Sequence, residues 1–459
     1  MMRASISAPL CLAILIASSA AAQPGGNAPA GIASPANSEA ATEGHLVAIE
    51  TAAQRSLDTL VAEFEDRRFA PGYRAATTPA ERRALLTRIR DAAAQAGGVD
   101  IGESDGVFVV TLEGPATFEV RLGVADHAPF GITSLAIAEI APPAPLNRAT
   151  LEADIDALMA EGDRSGVVYV AIDGEPIVQK AYGMAHPALG IANRLDTVFG
   201  VGSRPIDFTV AAIYLLEQRG QLGLDDTLGD HLPDAPADRA SMTLRQMMTG
   251  QSGLPDFPAA ATDWDADLGW IDRTEFERRT MAVPLLFAPG EGEAHSHWAF
   301  GVLAAIVERV SGQGYYEFLR ENFFDPAGME RTGNYGESRG LALADFAVGG
   351  GNRIGLPNIP PNWGPTSWLV MGSGGMFSTL GDLQRFYAYV TSGDVLEPRY
   401  VAHFLGTSAQ LDGSDRGFEL FSFADEERSD QAYVFLNSGG GPGAIRPLMR
   451  PLMTLLREN

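Results

Sequence analysis

Apolar positions change period several times along the chain, and those changes divide it. Val47, Ile49, Leu57, Leu60, Val61 and Phe64 recur at helical spacing. Thr78-Pro79-Ala80-Glu81 then predicts a helix start. Threonine caps it, glutamate answers three residues on, and proline takes the first helical position, where an N–H is not needed. "GVFVVTLEG", "ATFEVRLGV" and "GITSLAIAEI" follow, β-branched and bounded by turn residues, and predict a strand meander. Two helices and about three strands make a small α+β accessory domain over 45–140. "APPAPLNRAT" at 141–150 reads as a hinge, and residues 23–44, rich in Pro, Gly, Ala and Ser, as a flexible linker. Past the hinge, "SGVVYVAIDGEPIVQKAYG" predicts a hairpin turning at Asp173-Gly174. Helical patterns run over about 205–219, 298–312 and 378–392, and the chain closes on "QAYVFLNS" and a helix from about Pro447. Strands at both ends of a helix-rich middle predict that the two ends of the 147–459 domain share one antiparallel sheet.

Composition adds location and excludes partners. The opening "MMRASISAPLCLAILIASSAAAQPGG" has one cation, a short apolar run and then small residues, the pattern of a secretory signal peptide cut near Ala22. A secreted or periplasmic protein is expected, with no membrane span after cleavage. The one cysteine, Cys11, lies inside that segment, so the mature chain has neither disulfide nor thiolate chemistry. A formal charge of −25, or −26 once Arg3 leaves with the signal, disfavours nucleic acid and anionic lipid. His127 reads as a turn or surface residue.

The candidate chemistry centres on Ser203 in "VGSRPIDFTV". A serine at the mouth of a helix presents its hydroxyl beside backbone N–H groups suited to developing negative charge. Position i+3 lies on the same face, where a neutral lysine would accept the serine proton. Here that position is Ile206, which accepts nothing. Arg204 stays protonated and faces elsewhere, and Asp207 is a weak base for an alcohol.

"RLDTVFGVGS", "AAIYLLEQRGQLGLDDTLGDHLPD", "MTLRQMMTGQSGLPDF", "FAPGEGEAHSHWAFGVLAAIVERVSG", "FFDPAGMERTG" and "MGSGGMFSTLGDLQRF" stand in an order that resembles the serine β-lactamase and penicillin-binding-protein-like family, in its class C and CubicO-type esterase branch. The resemblance covers roughly 150–459. It implies an α/β (α+β) β-lactamase/transpeptidase-like fold, an antiparallel sheet flanked by helices, behind the accessory domain. It implies Ser203 as nucleophile and puts the family lysine at Ile206. The tyrosine and asparagine of the second motif fall on His295 and His297, with Ser296 between them.

From these residues the expectation is a catalytically degenerate homologue, inert or binding a small acyl, ester or peptidoglycan-like ligand. The alternative is an active esterase or amidase in which His295 is the base for Ser203. Ile206 and His297 are expected in the substrate pocket. Asn437, Ser438 and Gly439 are a candidate remnant of the third motif, which borders the pocket on an edge strand. The favoured reading makes "QAYVFLNS" the last strand, with the motif-bearing hairpin deleted, because only 86 residues follow from Gly374 onward. His295-Ser296-His297 offers two metal donors without a third in the sequence, so no metal and no cofactor are expected.

Overall fold

The computed structural model describes residues 42–457 apart from 43, 50, 97, 105–106, 126, 128–129, 141–143, 258–268, 352–356, 406–407, 415 and 439–443. The proposed signal segment and residues 23–41 of the proposed linker lie outside the described residues, whereas Thr42 and Gly44, at the linker's end, are helical rather than a flexible lead-in. Two compact units are present, Met1–Ala144 and Pro145–Asn459.

In the first unit, α1 (Leu57–Glu63) and α2 (Pro79–Ala93) accompany a four-stranded antiparallel meander. The strands are β1 (Gly98–Ser104), β2 (Val107–Glu113), β3 (Thr117–Val124) and β4 (Ile132–Ile140). The capping box forms as read: the Glu81 N–H donates to Thr78 Oγ1 at 3.2 Å, and the Thr78 N–H donates to the Glu81 carboxylate at 2.7 Å. Leu60, Leu86 and Ile89 from the helices, with Phe64 directly after α1, bury against Val110, Val120, Leu122 and Ile132 from the strands. One strand more than expected is present, and a further short helix, Pro71–Ala76, lies between α1 and α2. "GVDIGES" is too polar and glycine-rich to announce β1, and it forms by pairing Gly98 to Ser104 with Glu113 to Val107. His127 lies exposed in a bend.

In the second unit, β5 (Ser165–Ile172) and β6 (Glu175–Tyr182) pair through Asp173 and Gly174, whose φ values of 56° and 77° suit a tight hairpin turn. Near the carboxyl end come β7 (Ser408–Ser414), β8 (Phe418–Ala424) and β9 (Gln431–Ser438). The sheet order is β7-β8-β9-β5-β6, antiparallel throughout, so both ends of the unit do meet, along the β9–β5 pair. One sheet face packs on α3 (Leu151–Glu161) and the final helix, Arg446–Arg457, through Ile155, Met159, Val168, Val170, Leu448 and Leu452. The alternate face, with Val167, Phe418, Leu420 and Phe435, joins the main core. That core also holds α4 (Pro205–Gln218), α5 (His297–Ser311) and α6 (Leu380–Thr391). Among the described residues no helix is long and apolar enough to cross a membrane.

"QAYVFLNS" is the last strand, but the hairpin before it is not deleted. It is β7 and β8, paired from Ser408↔Ala424 to Ser414↔Phe418. "SAQLDGS" has only two apolar residues, because a strand at the edge of its sheet needs no continuous apolar run, so its sequence does not announce a strand.

Candidate functional site

Ser203 sits in the turn that leads into α4, with Pro205 as the first helical residue. Two neighbours fix this turn against the edge strand β7. Gly202 has φ +55°, and a β-carbon there would lie 2.8 Å from the Gly413 nitrogen, so the close approach requires glycine. Arg204 is buried and pairs with the buried carboxylate of Asp412. Arg204 also donates to Tyr387 Oη at 2.9 Å, and that hydroxyl donates to Asp207. Burial raises the Asp412 carboxyl above the usual range, an effect Arg204 only partly offsets. Arg204 and Asp207 are thus absorbed in a buried network behind the serine.

Ile206 is the second residue of α4, three positions past Ser203, partly buried and packed on the main core, so the lysine slot is filled by hydrocarbon. Nor does a lysine arrive from elsewhere. The chain has a single lysine, Lys180, on β6, and its ammonium is held by Asp156 at 2.7 Å and Glu152 at 3.0 Å.

The group that meets Ser203 is His297. Its Nε2 lies 2.8 Å from Ser203 Oγ. Ser296 caps α5, accepting from the Ala299 N–H at 3.1 Å and donating to the Pro255 carbonyl at 2.7 Å. His297 is therefore the first residue of the helix, pinned at its N-terminus. Asp256 completes the arrangement. One oxygen, Oδ1, accepts from the His297 backbone N–H at 3.0 Å and lies 2.7 Å from its Nδ1. The Trp298 N–H donates to the Asp256 carbonyl at 2.8 Å, so residues 255–256 are stitched to the start of α5.

Burial alone would raise the Asp256 carboxyl. The hydrogen bonds from His297, joined by its charge whenever the ring is protonated, outweigh that and hold it below the usual carboxylate range. Ionised, it only accepts, so Nδ1 carries the proton and Nε2 turns a lone pair to Ser203. Phe257 stacks on the His297 ring, centroids 4.3 Å apart and planes 13° from parallel, which fixes the ring orientation. The arrangement is a hydroxyl, an imidazole in the accepting tautomer and a carboxylate that orients it.

The sequence-derived site residues distribute unevenly around this arrangement. Ser203 and His297 come together, with His297 in the place expected of a pocket residue. His295, the expected base, is one residue before the cap. It stands edge-on to His297, ring centroids 4.6 Å apart, and has no hydrogen bond to Ser203 among the described residues. Burial, and then the nearby His297, lower its pKa. Asn437 is not a pocket residue. It is fully buried, donates to the carbonyls of Met184 and Val348 at 3.1 and 3.0 Å, and accepts from Asn193 at 3.1 Å. Ser438 ends β9, and Gly439 lies outside the described residues. The edge strand beside Ser203 is β7, at Asp412-Gly413. Asp256 was missed, since "GLPDF" has no local pattern that marks an aspartate for a histidine 41 residues away.

The β-lactamase family model matches residues 151–440, more than half of the chain. The chain belongs to the β-lactamase family. It is 24% identical over 296 residues to penicillin-binding protein 4* of Bacillus subtilis, covering 62% of this chain and 65% of that one. It is 31% identical over 207 residues to the esterase EstB of Burkholderia gladioli, covering 41% and 53%. The chain thus spans about half to two thirds of the length of these curated relatives. Among solved structures, a β-lactamase/D-alanine carboxypeptidase from Yersinia pestis aligns with a TM-score of 0.55 at 18% identity, covering 68% of this chain and 100% of that one. This last similarity speaks for the fold.

Proposed function

We propose that this family member is an active serine hydrolase working through Ser203, His297 and Asp256, not the inert homologue that Ile206 alone suggests. The observation that carries the reading is the 2.8 Å contact of His297 Nε2 with Ser203 Oγ, backed by Asp256 on the opposite nitrogen. His297 takes the Ser203 proton as Oγ attacks an acyl carbon. Asp256 holds the resulting imidazolium. Backbone N–H groups at the serine turn and along the free edge of β7 meet the oxyanion. His297 then returns the proton to the departing alcohol or amine, leaving an acyl-enzyme. A water gives a proton to His297 as it attacks the acyl carbon, and His297 passes that proton to Ser203 Oγ as the bond to the acyl group breaks and the acid leaves.

Small acyl compounds, esters or peptide-like amides, are the substrates this cycle serves. Relatives named an esterase (B. gladioli) and a D-aminopeptidase (Brucella anthropi) support that class. The test is fluorophosphonate labelling with peptide mapping, beside hydrolysis of short-chain p-nitrophenyl esters. Label on Ser203, and turnover lost in both Ser203→Ala and His297→Ala, is the expected result. A wild-type protein that neither labels nor turns over would refute it.

A further inference from the structure

The sequence shows two imidazoles at His295 and His297 and no third ligand; the fold supplies one. Asp256, His295 and His297 each offer a donor atom, and these atoms all lie within 4.8 Å of one another. Asp256 Oδ1 is occupied by His297, but no hydrogen bond from the described residues reaches its Oδ2. The His295 imidazole likewise has ring contacts with His297 and Phe300 but no hydrogen bond among the described residues.

We propose that Asp256, His295 and His297 bind a zinc-type divalent cation and that its binding switches the serine chemistry off. Two imidazoles and a carboxylate are a donor set suited to Zn²⁺, with a fourth position left for water or Ser203 Oγ. Tetrahedral coordination needs donors roughly 3.4 Å apart, a contraction within reach of side-chain rotation from the present spacing.

Inhibition follows from the imidazole, whichever nitrogen binds. Metal at Nε2 takes the lone pair that accepts the Ser203 proton. Metal at Nδ1 binds the other neutral tautomer, in which the ring's single N–H has moved from Nδ1 to Nε2, and Nε2 then cannot accept. Ligation and base function therefore exclude each other at His297, while His295 takes part only in ligation. The inhibitory half of this inference rests on the hydrolase reading above; the binding half does not.

The experiment titrates the purified protein with ZnCl₂ by calorimetry, repeats it with Co²⁺ followed by visible absorption, and measures p-nitrophenyl ester hydrolysis across the same range. One equivalent should bind, Co²⁺ should develop tetrahedral d–d bands, and hydrolysis should fall with occupancy and return with EDTA. His295→Ala should bind about tenfold or more weakly and escape inhibition while hydrolysing at the wild-type rate. His295→Gln serves as second variant, with circular dichroism confirming that each is folded. No binding at millimolar zinc, equal affinity in wild type and folded His295 variants, or faster hydrolysis with zinc would each overturn the proposal. A protein that binds zinc at these residues but shows no hydrolysis sinks the functional reading and leaves the site standing. A hydrolase that ignores zinc does the reverse.

Discussion

Replacing Asp256 with asparagine separates two things a carboxylate does for its histidine. In this site a single oxygen, Oδ1, serves both the His297 backbone N–H at 3.0 Å and Nδ1 at 2.7 Å. An asparagine carbonyl in the same place keeps both bonds, held there by the backbone donor, so the accepting tautomer survives and only the negative charge is lost. At an effective dielectric of 20, a full charge pair at about 4 Å is worth about 4 kcal/mol. The Asp256 side chain is 46% exposed, so solvent screening reduces this to roughly 1–2 kcal/mol. That is a fall of about 5–30-fold in kcat for Asp256→Asn. Asp256→Ala removes the orienting acceptor as well and should lose on the order of 10³-fold. Steady-state hydrolysis of p-nitrophenyl butyrate, normalised to fluorophosphonate-titratable serine, measures both. If asparagine falls as far as alanine, Oδ1 does not hold the tautomer. If alanine matches wild type, Asp256 does not orient the base, and the reasoning fails.

Other outcomes follow from the same geometry. His297→Ala should lower turnover by about 10⁴-fold or more, close to Ser203→Ala, since nucleophile and base act as one unit; a tenfold effect would point to another acceptor. Gly202→Ala should reduce hydrolysis well beyond any change in melting temperature, because its methyl meets Gly413 and pushes the serine turn from β7; unchanged kinetics would contradict that close approach. Asp412→Ala leaves the buried Arg204 charge with only Asp207 at 3.6 Å and the Tyr387 hydroxyl, and should cost about 3 kcal/mol in urea unfolding; a neutral result would mean that these partners or solvent carry the charge without Asp412. In the first unit His45 is buried, with Nε2 at 2.9 Å from the Phe130 carbonyl, and burial lowers its pKa despite that bond. The unfolded chain then takes up the proton first, so stability is full above pH ~6.5 and declines as pH falls below it. Thermal melts from pH 8 to 5 should slope less for His45→Gln than for wild type; parallel slopes would refute the assignment.

Much of the second unit is legible because its signals are local. The hairpin at Asp173-Gly174, α4, α5, α6 and the final strand all carry periodicity or turn chemistry within a few residues of themselves. β1 and β7 do not; polar and glycine-containing, they become strands only when a neighbour supplies the ladder. The site divides in the same way. Ser203 is visible from its helix mouth and its neighbours. The choice between His295 and His297 depends on which side of the Ser296 cap each ring falls, and Asp256 depends on a loop folding back across 41 residues. The lysine is absent at 206, but inertness does not follow from that alone, because an imidazole from a different helix contacts the serine.

The solitary amine on β6 has a practical side. The serine turn abuts β7, at one margin of the five-stranded sheet, and Lys180 projects from the other margin. Four strand spacings, roughly 19 Å, lie between them. Succinimide esters or aldehyde resins will therefore couple the protein at one defined side-chain position, together with its amino terminus, and leave the surroundings of Ser203 untouched. Because Asp156 and Glu152 keep that ammonium protonated, the coupling calls for alkaline buffer.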